Sequence, residues 1–410
     1  MKDIPRLLFN PPKPYRPLRV AMVSETYPPE INGVAHTAQC MAQGLISRYH
    51  QVQLIRPRQH AQDQGECSAA FEEILVRGMS MPRYAGLKIG LPATAELVRL
   101  WRARRPHVVQ IVTEGPLGWS AMVAAKKLRL PVISEFHTNF HAYSRHYGMA
   151  MLGGPIRAYL RWFHNQTATT LVPTEALRHE LASTGFRRLH VLARGVDTKR
   201  FNPARWNKLL RLSWGCGDHT LVALHVGRLA AEKNLPLVIE TFRHLQAERP
   251  DMKLVMVGDG PERAALQARN PDVVFSGMRQ GEDLAEHYAS ADLLLFPSTT
   301  ETFGNVVLEA MASGLPVVAY DYAAAREYIR HGENGLRAAF SDPLAFVNQA
   351  RNLVSDTENM RRLGHNARVS AEGMDWDHIH DHFERIIVTI VKQWARNHDD
   401  KAQLSFVPDL

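Results

Sequence analysis

Apolar positions along the chain fall into short runs separated by longer stretches with helical spacing. In the first half Arg19–Glu25 (RVAMVSE) reads as a buried strand, and further β-rich runs follow at Val52–Ile55, Val108–Val112, Pro131–Ser134, Thr169–Val172 and Leu189–Leu192. Helical periodicity occupies 34–49, 94–104, 117–129 and 175–183. Strands alternating with helices of this length predict a parallel sheet with right-handed crossovers. The second half repeats the plan. Strands are expected at Leu221–Val226, Lys253–Val257, Val273–Phe275, Leu293–Phe296 and Val317–Ala319, and helices near 235–247, 261–268, 282–289, 305–312 and 342–354. Composition changes over Arg200–Gly217, the expected linker. Two α/β halves predict two domains facing across a cleft. From Trp376 to Trp394, Ile379, Phe383, Ile386, Ile387, Ile390 and Val391 mark one face of a long packing helix. Residues 397–410 are expected to fray.

Composition excludes several classes. No window of the 410 residues approaches the about 18 uninterrupted apolar residues of a spanning helix. The first residues lack the apolar core of a secretory signal. Cys40, Cys67 and Cys216 are too few and too scattered for a disulfide framework or a zinc site, which fits a reducing cytoplasm. The charge is uneven. Residues 1–200 hold 27 Lys and Arg against 13 Asp and Glu, a net of +14, so the rest carries −6 of the +8 total. A basic first half expects an anionic surface, nucleic acid or lipid headgroups. No helix-turn-helix, zinc-finger or RNA-binding pattern supports nucleic acid, and an acidic second half would not follow a polyanion.

The densest chemistry lies at 297–314, PSTTETFGNVVLEAMASG. A strand ends at Phe296, a loop holds Glu301, Phe303 and Gly304, and a helix begins near Asn305, followed by Val306 and carrying Glu309. Glycine and unpaired amides at a helix N-terminus favour an anion such as phosphate. Two carboxylates so spaced can bracket a nucleotide sugar, although a capped helix with solvated glutamates would show the same E-x7-E. HVGRLAAEKNL at 225–235 places Arg228 and Lys233 in a turn after a strand. Beside a diphosphate they would stabilise leaving-group charge; in isolation they would be surface cations. VGDGPER holds Gly258, Asp259 and Gly260 in a strand-to-helix turn that is by itself ordinary. Asn32-Gly33 follows the first strand, where a glycine permits close backbone approach. FHTNFHAYSRHYG at 136–148 clusters His137, Tyr143 and Tyr147 without metal-ligand spacing.

These motifs together resemble the retaining GT-B glycosyltransferases of family 4, the glycosyl transferases group 1 type. ETFGNVVLEAMASGLPVVA, HVGRLAAEKNL, VGDGPER and YASADLLLFPS carry the resemblance in the second half. VSETYPPEINGV, EFHTNFHAY and ARGVDTKRF narrow it to chains similar to GDP-mannose-dependent α-mannosyltransferases and sulfoquinovosyldiacylglycerol synthases. The resemblance implies an acceptor-binding Rossmann-like domain over 1–200, a nucleotide-sugar domain over 201–381, and a C-terminal helix, about 382–398, returning to the first. It implies that Arg228 and Lys233 hold the diphosphate, Glu301 positions the sugar, Glu309 holds the ribose and His137 faces the sugar. Gly33 would contact phosphate. Gly258, Asp259, Gly260, Met278, Arg279, Phe303, Gly304, Asn305 and Val306 would line the nucleotide pocket, and Tyr143 and Tyr147 the acceptor side. No metal is required.

The resulting expectation is a metal-independent retaining hexosyltransferase that takes mannose from GDP-mannose to a lipid or glycan hydroxyl. A UDP-sugar-dependent glucosyl or sulfoquinovosyl transferase is the alternative, and a GT-B-fold nucleotide-sugar epimerase or a non-enzymatic surface binder are further ones. Arg145, Arg157 and Arg161 beside Trp162 and Phe163 suit peripheral contact with the cytoplasmic face of an anionic membrane, or equally a core-facing helix. Arg194, in ARGVD, receives no role. Gly195 is expected in a tight turn that Asp197 ties down.

Overall fold

The computed structural model describes residues 17–80, 88–137 and 153–398. Its first sheet contains β1 (Arg19–Val23), β2 (Gln51–Pro57), β3 (Phe71–Val76), β6 (Val108–Ile111), β7 (Val132–Glu135), β8 (Thr169–Val172) and β9 (Leu189–Val191), in the order β3-β2-β1-β6-β7-β8-β9. A small antiparallel pair, β4 (Gly78–Ser80) and β5 (Lys88–Gly90), stands apart from it. The second sheet contains β10 (Val222–Val226), β11 (Lys253–Val257), β12 (Val274–Gly277), β13 (Leu293–Phe296), β14 (Val317–Tyr320) and β15 (Leu336–Ala338), in the order β12-β11-β10-β13-β14-β15. Neighbours in this sheet run parallel. β10, β13 and β14 are buried along their whole length. Strands covered on both faces are continuous apolar runs, which is why the pattern found them.

β3, β15 and the helix Thr357–Glu372 are among the elements that the apolar pattern does not announce. β3 is only partly buried and carries Glu72 and Glu73. Glu73 pairs with Arg56 at 2.8 Å and Glu72 with Arg104 at 2.8 Å, so the strand is held by charge where the apolar signal is weak. β15 has three residues. The helix Thr357–Glu372 buries Met360, Leu363, Gly364, Ala367 and Ala371, a face made mostly of small residues. Helix Gly153–His164 buries Leu160 and Phe163 and turns Arg157, Arg161 and Trp162 outward.

The chain divides into two compact units. The first runs to Glu135, with Gln166–Thr169 and the chain from His382; the second is Phe136–Asn165 with Thr170–Asp381. Within the first, the C-terminal helix, Trp376–Asn397, is fastened from Glu384 onward. The buried Glu384 carboxylate lies 2.8 Å from His50 Nε2 and 3.6 Å from Arg48. His50 Nδ1 accepts the Leu18 amide at 3.0 Å, so Nε2 carries the proton and donates. Trp394 Nε1 donates to the Arg129 carbonyl at 3.2 Å.

The segment 200–217 is an ordered part of the second unit. It holds a 3-10 turn at Pro203–Arg205 and a helix at Lys208–Ser213. The buried Arg211 guanidinium donates to the Ser290 carbonyl at 2.8 Å and to Asp292 at 3.0 Å, which ties the segment to the start of β13.

Candidate active site

In a doubly wound parallel sheet the crevice opens at the carboxyl ends of the strands, where the strand order reverses. In the second sheet that point lies between β10 and β13. The loop leaving β10 carries Arg228 and Lys233, and the loop leaving β13 carries Ser298, Glu301 and Gly304. The structure brings Lys233 and Glu301 together as a direct ion pair. Ser298 Oγ donates to the same Glu301 oxygen, Oε1, at 2.7 Å. Burial works to raise the Glu301 carboxyl, but the Lys233 charge and the Lys233 and Ser298 hydrogen bonds outweigh it and hold it below the usual range. Oε2 receives no hydrogen bond among the described residues. Arg228 is more open, with Nη1 3.8 Å from the buried Glu232 carboxylate. Asn234 closes the turn in the left-handed region, φ 54°, which Asn tolerates. Two further bonds join the loops: Thr300 Oγ1 to the Glu232 carbonyl at 3.3 Å and Asn234 Nδ2 to the Pro297 carbonyl at 3.3 Å.

Gly258 and Gly260 serve this construction. A Cβ on Gly258 would stand 1.9 Å from the Gly227 carbonyl oxygen, and one on Gly260 2.4 Å from that of Leu229. Leu229 N–H donates to Asp259 O at 2.9 Å and Glu262 N–H to Leu229 O at 3.0 Å. The Asp259 carboxylate accepts the Gly260 amide at 2.8 Å and approaches Arg263 at 3.4 Å. Met278 is exposed, and Arg279 is held by the Ser276 carbonyl at 2.9 Å and by Asp283 at 2.9 Å.

The helix Asn305–Ala312 starts from Gly304 in the left-handed region, φ 94°, with no side-chain cap. Its first amides and the positive end of its dipole are therefore available to an anion. Val306 packs on the core. Phe303 departs from the expected pocket lining. Its ring is buried in the core, edge-on to Tyr328 with centroids 5.9 Å apart, and its carbonyl accepts the Ala324 amide at 2.8 Å. Only its backbone amide remains for a ligand. Glu309 accepts a hydrogen bond from Tyr288 Oη at 2.8 Å. Burial pushes its carboxyl up to about 7, against the Tyr288 hydrogen bond and the Arg200 charge.

His137 lies just beyond β7. Its carbonyl accepts Thr302 Oγ1 at 2.6 Å, which latches it to the loop bearing Glu301. Its Nδ1 lies 3.2 Å from Nη2 of the buried Arg194. Ser298, Thr302, Tyr288 and Arg194 are the partners that motif reading did not supply. Gly33, in the first unit, is the exposed first residue of helix Gly33–Ser47, and Asn32 caps that helix by accepting the Val34 and Ala35 amides at 3.1 and 2.8 Å. Tyr143 and Tyr147 lie outside the described residues. Among the described residues no group of three or more His, Cys, Asp or Glu is placed to hold a metal ion, and no helix is long and apolar enough to cross a membrane.

The chain is similar to known proteins. Residues 212–370 match the model described as Glycosyl transferases group 1, and residues 31–200 that described as Glycosyltransferase Family 4. A GDP-mannose-dependent alpha-mannosyltransferase of Mycobacterium tuberculosis is 33% identical over 376 residues, covering 90% of this chain and 97% of that protein. The sulfoquinovosyl transferase SQD2 of Arabidopsis thaliana is 30% identical over 309 residues, covering 73% of this chain and 60% of that one. The solved sucrose-phosphate synthase of Thermosynechococcus elongatus superposes with a TM-score of 0.75 at 18% identity, covering 90% of this chain and 98% of the other. That likeness shows the GT-B fold.

The Glu309 carboxyl has a linkage consequence. Folding raises it from 4.5 to about 7, so between those values the native state holds the extra proton. Its contribution to stability is therefore full below the lower value and is lost as pH rises through the upper one. Glu309→Gln should remove this fall, and the variant should gain stability relative to the parent from pH 5 to pH 8. Denaturant unfolding of both proteins across that range checks the difference; parallel curves would refute the perturbed carboxyl.

Proposed function

The chain belongs to the glycosyltransferases of group 1 and family 4 and is a hexosyltransferase, and from that premise we propose that it moves mannose from GDP-mannose to a lipid or glycan hydroxyl, retaining anomeric configuration and needing no metal. The observation that carries this reading is the Lys233–Glu301–Ser298 cluster beside the N-terminus of helix Asn305–Ala312. A nucleoside diphosphate meets the two cations and the helix amides there. The mannosyl relative supports the choice of donor.

In this mechanism the acceptor hydroxyl oxygen bonds to the anomeric carbon as the bond from that carbon to the diphosphate oxygen breaks. The hydroxyl proton passes to the departing diphosphate. Arg228 and Lys233 stabilise the negative charge that grows on it. Glu301 holds Lys233 with Oε1 and turns Oε2 to the sugar hydroxyls. Glu309 accepts from the ribose diol, which favours its ionised form. His137 contacts the sugar, and backbone at Gly258, Gly260 and Gly304 admits the nucleotide closely. Asp259, Met278, Arg279, Asn305 and Val306 border it.

The same reading makes the enzyme peripheral at the cytoplasmic face of an anionic membrane, on the strength of the outward Arg157, Arg161 and Trp162 and the basic first 200 residues. Binding to anionic vesicles at low salt, lost at high salt, is the expected result; indifference to such vesicles would sink it.

Thermal unfolding with GDP, UDP, ADP and their sugars tests the donor. A ligand at 100 times its dissociation constant adds about 2.7 kcal/mol. A shift with GDP and GDP-mannose alone is expected, whereas a shift confined to UDP compounds would transfer the reading to a UDP-sugar enzyme. Lys233→Ala should lower turnover by about 10²-fold or more. Near-normal turnover in that variant would remove Lys233 from the leaving-group role.

A further inference from the structure

Arg194 is 4% exposed and points its guanidinium at a histidine ring, with Nη2 3.2 Å from His137 Nδ1. A guanidinium has donors only and keeps its charge in proteins. Nδ1 must therefore be the acceptor, and in a neutral imidazole the single proton then sits on Nε2. Protonating Nδ1 would set N–H against N–H and cation against cation. The second restraint on this residue is the Thr302 hydroxyl on its carbonyl at 2.6 Å. Ring and backbone of His137 are thus held by two separate elements of the second unit.

Other charged and titratable groups stand around this contact. His164, on helix Gly153–His164, is held neutral, down to about 3, chiefly by its own burial. Tyr328, on helix Ala323–Tyr328, is pushed up to about 12 by burial and by Glu327, with Arg194 opposing, and stays a neutral phenol. The cation facing His137 from the segment after β9 is therefore Arg194.

We propose that Arg194 is a positioning residue that fixes His137 as the neutral Nε2–H tautomer, so that this ring offers the transferred sugar a hydrogen-bond donor and never an imidazolium. The proposal rests on the glycosyltransfer reading, in which His137 meets the sugar. A donor at that point selects a sugar oxygen that can accept, and it keeps a second positive charge away from the forming oxocarbenium-like carbon.

The test uses full-length protein labelled with 15N-histidine. The His137 ring signals are assigned by their loss in His137→Ala. In the parent, Nε2 should be protonated and Nδ1 bare throughout the physiological range. In Arg194→Met the ring should populate both tautomers and titrate nearer an ordinary histidine, about 6.5. The acid limb of kcat should move up by about one pH unit or more with it, and Arg194→Lys, which restores a cationic donor, should return part of both effects. A parent ring protonated on Nδ1, or an unchanged tautomer and titration in Arg194→Met, would overturn the proposal. The parent spectrum decides the tautomer even if Arg194→Met fails to fold. Full turnover in His137→Ala would instead remove His137 from the glycosyltransfer reading, and with it the use of the tautomer in catalysis.

Discussion

The Gly227 carbonyl oxygen lies 1.9 Å from where a Cβ on Gly258 would stand, and the Leu229 carbonyl 2.4 Å from a Cβ on Gly260. Loops from neighbouring strands thus run at backbone contact distance. Both glycines also adopt positive φ, 136° and 159°, which side-chain-bearing residues avoid. The approach lets Leu229 exchange hydrogen bonds with Asp259 and Glu262. The turn that ends at Lys233 is built on that bonded foundation. A cation acts best on developing charge where it need not reorganise, and Lys233 stands on a loop whose backbone is hydrogen-bonded to its neighbour.

Two glutamates of one strand-loop-helix unit are driven in opposite directions. Both lose water on folding. Glu301 has a lysine and a serine on one oxygen and stays ionised. Glu309 has a phenol as its hydrogen-bond partner and a more distant arginine, and its carboxyl moves up to about 7. Environments that separate the titration of paired carboxyls commonly mark distinct roles. Here the difference is between a carboxylate already charged before a ligand arrives and one whose charge a ligand's hydroxyl donors would bring out. The first suits holding a cation in place, and the second suits recognition of a diol.

The sheet strands and most helices were legible because buried parallel strands are unbroken apolar runs and helices repeat at their own period. What escaped lacked that contrast. Helix Thr357–Glu372 hides behind Gly364, Ala367 and Ala371, too small to register as an apolar stripe. Side-chain directions were not legible. Phe303 lies between Glu301 and Gly304 in one loop, yet its ring turns into the core against Tyr328. Pairings were less legible still. Lys233 and Glu301 were assigned to different atoms of a substrate although they hold each other, 68 positions apart in the chain. Arg194 received no role because its partner lies 57 positions away, and no local pattern announces such a contact.

The small residues that blurred the helical signal explain how the site is held from behind. A Cβ on Gly364 would come within 2.3 Å of the Gly314 carbonyl, so helix Thr357–Glu372 can approach the end of helix Asn305–Ala312 only with glycine there. That approach delivers Arg368, whose Nη1 donates to the Ala312 carbonyl at 2.8 Å and to the Phe201 and Thr198 carbonyls at 3.0 and 3.1 Å. A cation on the last carbonyl of a helix complements its dipole, and the other end of this helix starts from Gly304 without a side-chain cap. Two of the same bonds also anchor the segment that follows ARGVD. There Asp197 accepts the Arg200 amide at 2.9 Å, Val196 N–H donates to Met374 O at 2.9 Å, and Gly195 lies so close that a Cβ would meet the Trp376 backbone at 2.7 Å. Gly195 is therefore required by packing, without the positive φ of a tight glycine turn. Arg194 precedes it and is carried to His137 by these restraints. One helix, admitted by one glycine, thus steadies both helix Asn305–Ala312 and the segment that presents Arg194 to His137.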